Sequence, residues 1–252
     1  MLQHIHLFGH SYSTFGLMYF LAFVVAYVLA AQRAHELGMP RRWALEGPIF
    51  ATAAGLVGAR LYFLIEHPEQ WSNPFDWNGG NAWYGGFILG FIAVVLWRRW
   101  RQIPLLTVLD TGALVLPFAQ ALGRLGCQFA GDGDYGIPSH LPWAMSYPHG
   151  TVPTPPGVTV HPTPIYESVT LLVIGVFLWR RRDRLRPGAL GALYLVLAGT
   201  ERFLVEFIRR NPSVAGPFTA AQLFSAAMVA VGVTWILVLR GQGGLATAPQ
   251  RA

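Results

Sequence analysis

The residues best suited to chemistry lie in one stretch, Gly123 to Gly136, which directly follows an apolar run ending at Leu122. It contains the permanently charged Arg124, two aspartates and five glycines. Glycines let backbone N–H groups approach a ligand closely, and a planar guanidinium matches a phosphate or carboxylate. The stretch therefore predicts a site for an anionic lipid headgroup. A polar turn after a membrane span, with Arg124 reaching up to the interface, is the open alternative.

A second polar group interrupts the apolar run near residues 188–207. Glu201, Arg202 and Glu206 fall close together, and the last two are four residues apart, so they share one helical face. Glu206 either orients Arg202 towards an anion or forms a self-neutralising structural pair with it.

Other polar residues near apolar runs leave similar alternatives open. Glu167 is a partner for Arg60 or Arg124, or a capping acid at a helix start. Asp110 is expected to be a cap or interface residue. Cys127 is expected to be a small packed residue, because a nucleophilic role requires a stabilised thiolate.

The eight histidines show no spacing typical of a metal site, and no cofactor is indicated. His161 is the histidine nearest a polar constellation. A hydrogen-bonded structural role is favoured for it over that of a base, although its ordinary pKa near 6.5 suits proton transfer.

The composition indicates a membrane protein. Of 252 residues, 53% are hydrophobic and only 12% charged, about half the usual charge of a soluble domain. All 18 basic residues are arginine, and they cluster beside apolar runs. The net charge of +6 therefore indicates the membrane topology, and nucleic acid is not the expected partner. A single cysteine excludes an internal disulfide. The arginine-free start shows no pattern of a cleavable signal peptide.

Seven apolar runs are long enough to span or nearly span a bilayer, which predicts an all-α integral membrane protein. They lie near Ser13–Gln32, Leu45–Leu64, Tyr84–Trp97, Leu105–Leu122, Tyr166–Trp179, Gly188–Phe207 and Phe218–Leu239. We expect one transmembrane domain over residues 1–252.

The arginines predict the orientation. With the N-terminus outside, 13 of the 18 lie in cytoplasmic segments, including the C-terminal one. Arg60, Arg124 and Arg202 then fall in the outer half of the membrane, where a charge needs a polar cavity or a partner. Arg209 and Arg210 are expected in a short outer loop, solvated or touching headgroups.

Two outer segments between the spans are long. The segment Ile65–Trp83 leads into Trp83-Tyr84-Gly85-Gly86, whose glycine pair permits close packing or a re-entrant turn. The segment over about residues 124–165 is too rich in proline for a helix or a central strand, so it predicts an irregular extracytoplasmic cap.

Taken together, these residues resemble the prolipoprotein diacylglyceryl transferases of bacterial membranes, over nearly the whole chain. The matching positions are Phe15–Tyr19, Gly58–Arg60, Gly79-Gly80, Tyr84–Gly86, Gly123–Gly126, Gly136, His161-Pro162, Tyr166-Glu167, Arg202-Phe203, Glu206-Phe207 and Gln222. The family fold is a seven-span helical bundle whose site opens laterally to the bilayer on the outer side.

The resemblance implies transfer of the diacylglyceryl group of phosphatidylglycerol to the lipobox cysteine of a preprolipoprotein, releasing glycerol phosphate in the bacterial cytoplasmic membrane. Membrane lipids and the lipobox segment are the implied partners. The implied catalytic positions are Arg124, Arg202 and Tyr84. The implied substrate-binding positions are Tyr19, Arg60, Gly85, Gly86, Gly123, Gly126, Gly136, His161, Tyr166, Glu167, Glu206 and Gln222.

The chain departs from the family pattern at several positions. Tyr84 stands where well-known members carry a histidine, and an ordinary tyrosine pKa near 10 makes it a poor base at neutral pH. Cys127 replaces an asparagine, Phe15 a common tyrosine, and the segment 131–136 is one residue longer and more acidic. A same-fold transferase with a non-lipoprotein acceptor therefore stays open. A small transporter is disfavoured, because the sequence has no internal repeat and its polar residues gather on one side.

Overall fold

A computed structural model describes residues 3–7, 10–74 and 83–246, with the backbone alone described at residues 6, 7, 10, 83 and 84. This part of the chain is mostly helical. Its α-helices are α1 (Thr14–Glu36), α2 (Arg42–Glu66), α3 (Trp83–Arg101), α4 (Leu105–Ala130), α5 (Thr163–Arg181), α6 (Ala189–Val205) and α7 (Ala220–Gly241). Two short antiparallel hairpins accompany them, β1 (His4–Leu7) with β2 (His10–Ser13) and β3 (Ser213–Ala215) with β4 (Phe218–Thr219).

The helical membrane character is confirmed. Among the described residues, α1, α2, α4 and α7 are long and apolar enough to cross a membrane. Each of the seven predicted apolar runs coincides with one helix. The helices α3 and α5 have 19 residues each and α6 has 17, close to the roughly 20 residues that cross the hydrocarbon core.

The chain divides into two compact units. The main unit comprises Met1–Ala26 and Leu109–Ala252, and the second, the α2–α3 unit, comprises Tyr27–Val108.

In the α2–α3 unit the two long helices contact each other through glycines. A Cβ added to Gly58 or to Gly85 would overlap the backbone carbonyl oxygen of the other residue. A Cβ added to Gly86 would lie 3.1 Å from the carbonyl oxygen of Gly55. Of the two expectations for Gly85-Gly86, close packing is therefore what the structure has, because both residues belong to the first turns of a helix and not to a re-entrant turn.

Replacing Gly85 with alanine is expected to destabilise the protein by about 1–3 kcal/mol, because two helix backbones would have to separate. The midpoint of thermal unfolding of the purified protein in detergent measures this. Gly123→Ala is the matched control: a Cβ there meets no atom within 4 Å, and alanine is favoured over glycine in a helix by about 0.5–1 kcal/mol. Equal midpoints for Gly85→Ala and the wild type would contradict the close contact.

The core of the main unit lies between α4, α5 and α6. Its buried residues are Ala113, Leu114, Ile174, Leu178, Leu190, Tyr194 and Ala198. A Cβ at Gly175 would meet the ring of Phe118 at 2.8 Å, so α5 and α4 also pack closely. Asp110 on α4 accepts hydrogen bonds from the backbone N–H groups of Gly188 (2.6 Å) and Gly191 (2.9 Å). Asp110 is therefore a cap, but of the neighbouring helix α6.

The helix α4 continues two turns past its predicted end at Leu122. It ends at Ala130, where Gly131 has a positive φ of 59° and donates its N–H to the Cys127 carbonyl at 2.9 Å. That geometry is typical of a glycine directly after a helix. The expectation that the helix stops at Gly123 is wrong, since Gly123 and Gly126 keep helical backbone. Arg124 consequently projects from a rigid helix and not from a loop.

The proline-rich segment between α4 and α5, residues 131–162, is irregular, as predicted, although it begins about seven residues later. The stacked rings of Tyr135 and Tyr147 lie 4.8 Å apart and are buried with Val160. The guanidinium of Arg210 lies 4.2 Å from the ring centre of Tyr135. Burial raises the pKa of Tyr147 to about 12, so its hydroxyl stays protonated and donates to Gln128 on α4 at 2.9 Å. The segment is thus anchored to the end of α4.

Candidate functional site

Six charged side chains of the main unit form one connected group, which we call the arginine–carboxylate cluster. Its members come from α4, the segment after it, α5, α6, the short 3-10 turn Glu206–Ile208 and the residue that follows this turn. They are Arg124, Asp134, Glu167, Arg202, Glu206 and Arg209. Three guanidinium groups meet three carboxylates, so the cluster is electrically balanced.

Glu167 is the centre of the cluster, and its side chain is 1% exposed. One carboxylate oxygen pairs with Arg124 Nε, and the other lies 2.8 Å from Arg209 Nη1 and 4.0 Å from Arg202 Nη1. A buried carboxylate is stable when cations and hydrogen bonds compensate it. Of the predicted partners, Arg124 is confirmed. Because Glu167 lies in the first turns of α5, that helix aligns arginines from two other elements.

Arg209 is buried, contrary to the expectation of a solvated loop residue. Its side chain is 7% exposed and pairs with Glu167, with Asp134 and, at 3.8 Å, with Glu206. Burial disfavours the charged form of Asp134, yet the guanidinium groups of Arg209 and Arg124 hold the pKa of this carboxyl below its ordinary value. Asp134 therefore stays ionised at neutral pH and locks Arg209 in place.

Arg124 and Arg202 keep part of their surface accessible, with side chains 25% and 23% exposed. Arg124 Nη1 donates to Asp134 at 2.6 Å, and Arg202 Nη2 lies 2.7 Å from Glu206. The buried Nη1 atom of Arg202 has no hydrogen-bond partner among the described residues. A buried donor left unpaired costs about 1–3 kcal/mol, so this atom suits an acceptor that arrives with a ligand.

Glu206 is held from its other side by the start of α7. Its Oε1 accepts hydrogen bonds from Asn211 Nδ2 and Thr219 Oγ1, both at 2.7 Å. Thr219 and Gln222 also form a capping box, in which each side chain accepts from the other residue's backbone N–H at 3.2 and 3.1 Å. Gln222, implied as a substrate-binding residue, is thus buried in a capping role, and Thr219 and Glu206 stand between it and Arg202.

Replacing Thr219 with valine is expected to lower the free energy of unfolding by about 1–2 kcal/mol, because α7 loses its N-cap acceptor and Glu206 loses a donor. Serine at this position retains the hydroxyl and is expected to keep most of that stability. Thermal unfolding of both variants in detergent measures the difference. If Thr219→Val unfolded at the same midpoint as the wild type, the capping box would not be what supports Glu206.

Gly136 lies where the backbone approaches that of His161 and that of Ile208. Its N–H donates to the His161 carbonyl at 2.8 Å, and an added Cβ would overlap the Ile208 carbonyl oxygen. Only a glycine fits this crossing. Gly136 therefore fixes the approach of residues 131–162 to the cluster, and it shapes the site without needing to touch a ligand.

His161 and Tyr166 form a polar pair beside the cluster. His161 Nδ1 lies 3.4 Å from the Tyr166 hydroxyl, which accepts a hydrogen bond from Trp143 Nε1 at 2.7 Å. Tyr166 directly precedes Glu167 on α5. Since Trp143 is 56% exposed, this pair joins the surface of the segment 131–162 to the helix that carries Glu167.

The other predicted residues of the main unit, Gly123, Gly126 and Tyr19, are not members of the arginine–carboxylate cluster. Gly126 faces α1, where an added Cβ would lie 3.3 Å from Phe15 and Met18, so it serves helix packing. Gly123 faces open space. Tyr19 is half-exposed on α1 and stacks on Phe15 with ring centres 6.3 Å apart.

Arg60 and Tyr84 are candidate residues of the α2–α3 unit. Arg60 is 4% exposed and donates to the backbone carbonyls of Pro74 (2.8 Å) and Asn73 (3.2 Å). Its guanidinium thus holds the chain that follows α2. Tyr84 lies in the first turn of α3, but its side chain is outside the described part of the structure.

Cys127 is half-buried, as expected of a packed residue, and lies next to the acidic segment. Its Sγ and single carboxylate oxygens of Asp132 and Asp134 lie within 4.8 Å of one another. Since both oxygens of Asp134 already accept from arginines, we assign this carboxylate to the cluster and not to a metal site.

Sequence reasoning missed two members of the cluster, Arg209 and Asp134, and also Thr219, which donates to Glu206. Arg209 had a usable signal, because it follows Arg202 and Glu206 at seven and three residues, on the same helical face. Asp134 had a weaker one in the acidic segment. Thr219 with Gln222 matches the capping-box pattern at the start of the last apolar run.

The comparisons with known proteins identify the family of the chain. Residues 3–238 match the family model described as prolipoprotein diacylglyceryl transferase. The phosphatidylglycerol–prolipoprotein diacylglyceryl transferase of Thermotoga maritima is 34% identical over 242 residues, covering 91% of this chain and 80% of that protein. The enzyme of the same name from Symbiobacterium thermophilum is 33% identical over 244 residues, covering 91% and 90%. The chain therefore belongs to the prolipoprotein diacylglyceryl transferase family.

Proposed function

We propose that this protein transfers the diacylglyceryl group of phosphatidylglycerol to the lipobox cysteine thiol of a preprolipoprotein and releases glycerol phosphate. Family membership supports the reaction, and one observation supports its place in the molecule. Two partly accessible arginines on separate helices, Arg124 and Arg202, flank the buried Glu167, and one of them carries an unpaired buried donor.

The protein acts in the bacterial cytoplasmic membrane with all seven helices spanning. The N-terminus is outside and the C-terminus is cytoplasmic, which places the arginine-rich helix ends inside. Residues 131–162 then form an extracytoplasmic cap over the outer ends of α4 and α5. The arginine–carboxylate cluster lies at the same outer level, within reach of lipid headgroups.

Arg124 and Arg202 bind the phosphate of the donor lipid. When the thiolate attacks the glyceryl carbon, the carbon–oxygen bond breaks and negative charge grows on the departing phosphate. Fixed guanidinium donors in a water-poor site stabilise that charge without reorganising, which is usually the largest contribution a protein can make. Arg202 Nη1 gains its missing acceptor in the same step.

The carboxylates keep the arginines fixed before the lipid arrives. Glu206 orients Arg202 and is itself held by Thr219, while Glu167 aligns Arg124 and Arg209. Arg124 and Arg202 each donate to a carboxylate, which fixes the orientation of their guanidinium groups. Their remaining N–H donors therefore point in defined directions. Gly123 leaves room for the headgroup, Gly136 fixes the segment 131–162 beside it, and Tyr19 contacts the lipid. For Arg60, in the α2–α3 unit, a role in substrate binding rests on the resemblance alone.

For Tyr84 and Gly85-Gly86, which belong to the α2–α3 unit, a role in the reaction rests on the family resemblance alone. His161, near the end of the segment 131–162, and Tyr166 on α5 line the side of the site that the acceptor peptide approaches. The substitution of tyrosine for histidine at position 84 also favours a second candidate, a transferase that moves the same lipid group to a different acceptor.

A transfer assay separates the two candidates. Purified protein in vesicles of labelled phosphatidylglycerol is given a lipobox peptide, with a cysteine-to-serine peptide as the matched control. We expect thioether-linked lipid on the cysteine peptide alone and one glycerol phosphate per product. Glycerol phosphate release without lipid on the peptide would support the second candidate, and no consumption of the lipid would contradict both.

A further inference from the structure

Gln120 is a polar residue in the apolar part of α4 that the proposed function leaves unused. It is exposed, and its side-chain oxygen accepts a hydrogen bond from the Tyr194 hydroxyl of α6 at 3.0 Å. The N–H groups of its amide donate to no residue in the described part of the chain. Polar groups in an apolar span are costly unless they meet a polar partner, so these donors suit an acceptor that arrives with a ligand.

The hydrogen bond with Tyr194 fixes the orientation of the Gln120 amide. Tyr194 is 9% exposed and belongs to the core between α4, α5 and α6. Because the core holds the tyrosine ring and its hydroxyl donates to Oε1, the amide nitrogen of Gln120 is directed away from that hydroxyl. The free N–H donors therefore have a defined direction.

Gln120 belongs to a face of α4 whose polarity changes along the helix. Leu116, Gln120 and Arg124 are spaced four residues apart, so they lie on one side of the helix. Leu116 is 44% exposed, and the Arg124 side chain is 25% exposed. Gly123 lies on the same side, and an added Cβ there would meet no atom within 4 Å. Accessible surface therefore runs from an apolar side chain past an amide to a cation.

The order of these groups matches the order of the groups in the donor lipid. In the orientation proposed above α4 runs outwards, so Gln120 lies about 6 Å deeper in the membrane than Arg124, and Leu116 lies one turn deeper again. In phosphatidylglycerol the ester carbonyls follow the phosphate by a few bonds, and the acyl chains follow the esters. A phosphate at Arg124 therefore places an ester carbonyl at the level of Gln120.

We propose that Gln120 donates a hydrogen bond to an ester carbonyl of the diacylglyceryl group and thereby selects ester-linked over ether-linked donor lipids. The inference rests on the proposed function, because Arg124 defines where the phosphate lies. Transfer leaves the ester unaltered, so this bond is equally strong in the bound substrate and in the transition state. Gln120 is thus a specificity-determining residue, whose loss raises KM and leaves kcat unchanged.

The test compares the full-length wild type and Gln120→Met on two donors, phosphatidylglycerol with ester-linked chains and its analogue with ether-linked chains of the same length. The ether donor has no carbonyl, and methionine keeps the length of glutamine without its amide. With a lipobox peptide as acceptor, we expect the wild type to have a kcat/KM about 3–10-fold higher for the ester donor, the usual contribution of one hydrogen bond. Gln120→Met should lose this preference through a higher KM for the ester donor. Its kcat, and its kcat/KM for the ether donor, should stay within about twofold of the wild type.

Two further proteins separate this effect from a structural one. Gln120→Met combined with Tyr194→Phe removes both partners of the hydrogen bond between α4 and α6, so no buried hydroxyl is left unpaired. This double variant should unfold near the wild-type midpoint and show the same loss of preference. Thr234→Val is the matched control, since Thr234 is an exposed polar residue of α7 that donates to the Ala230 carbonyl of its own helix at 2.8 Å. It should keep the wild-type preference.

A wild-type preference for the ester donor in Gln120→Met and in the double variant would overturn the inference. An equal loss on both donors would also overturn it, because Gln120 would then only hold α4 against α6. The same holds for a wild type that does not distinguish the two donors. A wild type that transfers neither donor would instead contradict the proposed function itself, so the two failures are distinguishable.

Discussion

Replacing Arg202 with alanine is expected to lower the rate of diacylglyceryl transfer by about 10²–10³-fold, the usual effect of removing one preorganised donor from a developing negative charge. Arg124→Ala should have a similar effect, since it holds the other side of the same site. Both residues combine a carboxylate partner with accessible surface, whereas Arg209 is fully committed to carboxylates. Initial rates of thioether formation measure the loss.

Two further variants make this result specific. Arg202→Lys keeps a positive charge near Glu206 but loses the planar fork, so an intermediate rate with a normal unfolding midpoint is expected. Arg210→Ala removes an exposed arginine that contacts the ring of Tyr135, and its rate should stay within a few-fold of the wild type. If Arg210→Ala lost as much activity as Arg202→Ala, general positive charge and not the paired site would explain the effect.

Replacing Glu167 with glutamine is expected to destabilise the protein by about 3–5 kcal/mol, because it leaves the buried Arg209 and the partly buried Arg124 without their shared counter-charge. The pairs with Arg124 and Arg209 would both be lost, and activity would fall with them. Thermal unfolding in detergent and the transfer assay measure the two losses.

The control for Glu167 is Glu36→Gln, which breaks a 2.8 Å pair with Arg33 at the end of α1. That pair is partly exposed, and such pairs contribute at most about 1 kcal/mol. Similar midpoints for the two variants would show that Glu167 is not the centre of the cluster.

The helices were predictable because their signal is local. Each apolar run is a continuous property of the sequence, and the match of seven runs to seven described helices follows from the length needed to cross a bilayer. The pairing of Arg202 with Glu206 was predictable for the same reason, since four residues apart on a helix means one face.

The predictions from sequence were wrong where a structure depends on contacts between segments that are far apart in the chain. The glycines after Leu122 favoured a helix end, yet α4 continues because Gly126 packs against α1, and the helix stops only where Gly131 adopts a positive φ. Arg209 looked solvated because its partners Asp134 and Glu167 lie 75 and 42 residues away. Burial of an arginine is decided by such partners, and a short loop between two spans does not reveal them.

The central claim, that Arg124 and Arg202 bind the phosphate of the donor lipid, is tested most directly by binding and not by turnover. The measurement is the affinity of the purified protein for phosphatidylglycerol and for diacylglycerol, which lacks the phosphate, in the wild type and in Arg202→Ala. We predict a preference of at least about tenfold for phosphatidylglycerol in the wild type, equivalent to about 1.4 kcal/mol, and the loss of most of it in the variant. An unchanged preference in Arg202→Ala and in Arg124→Ala would contradict the account.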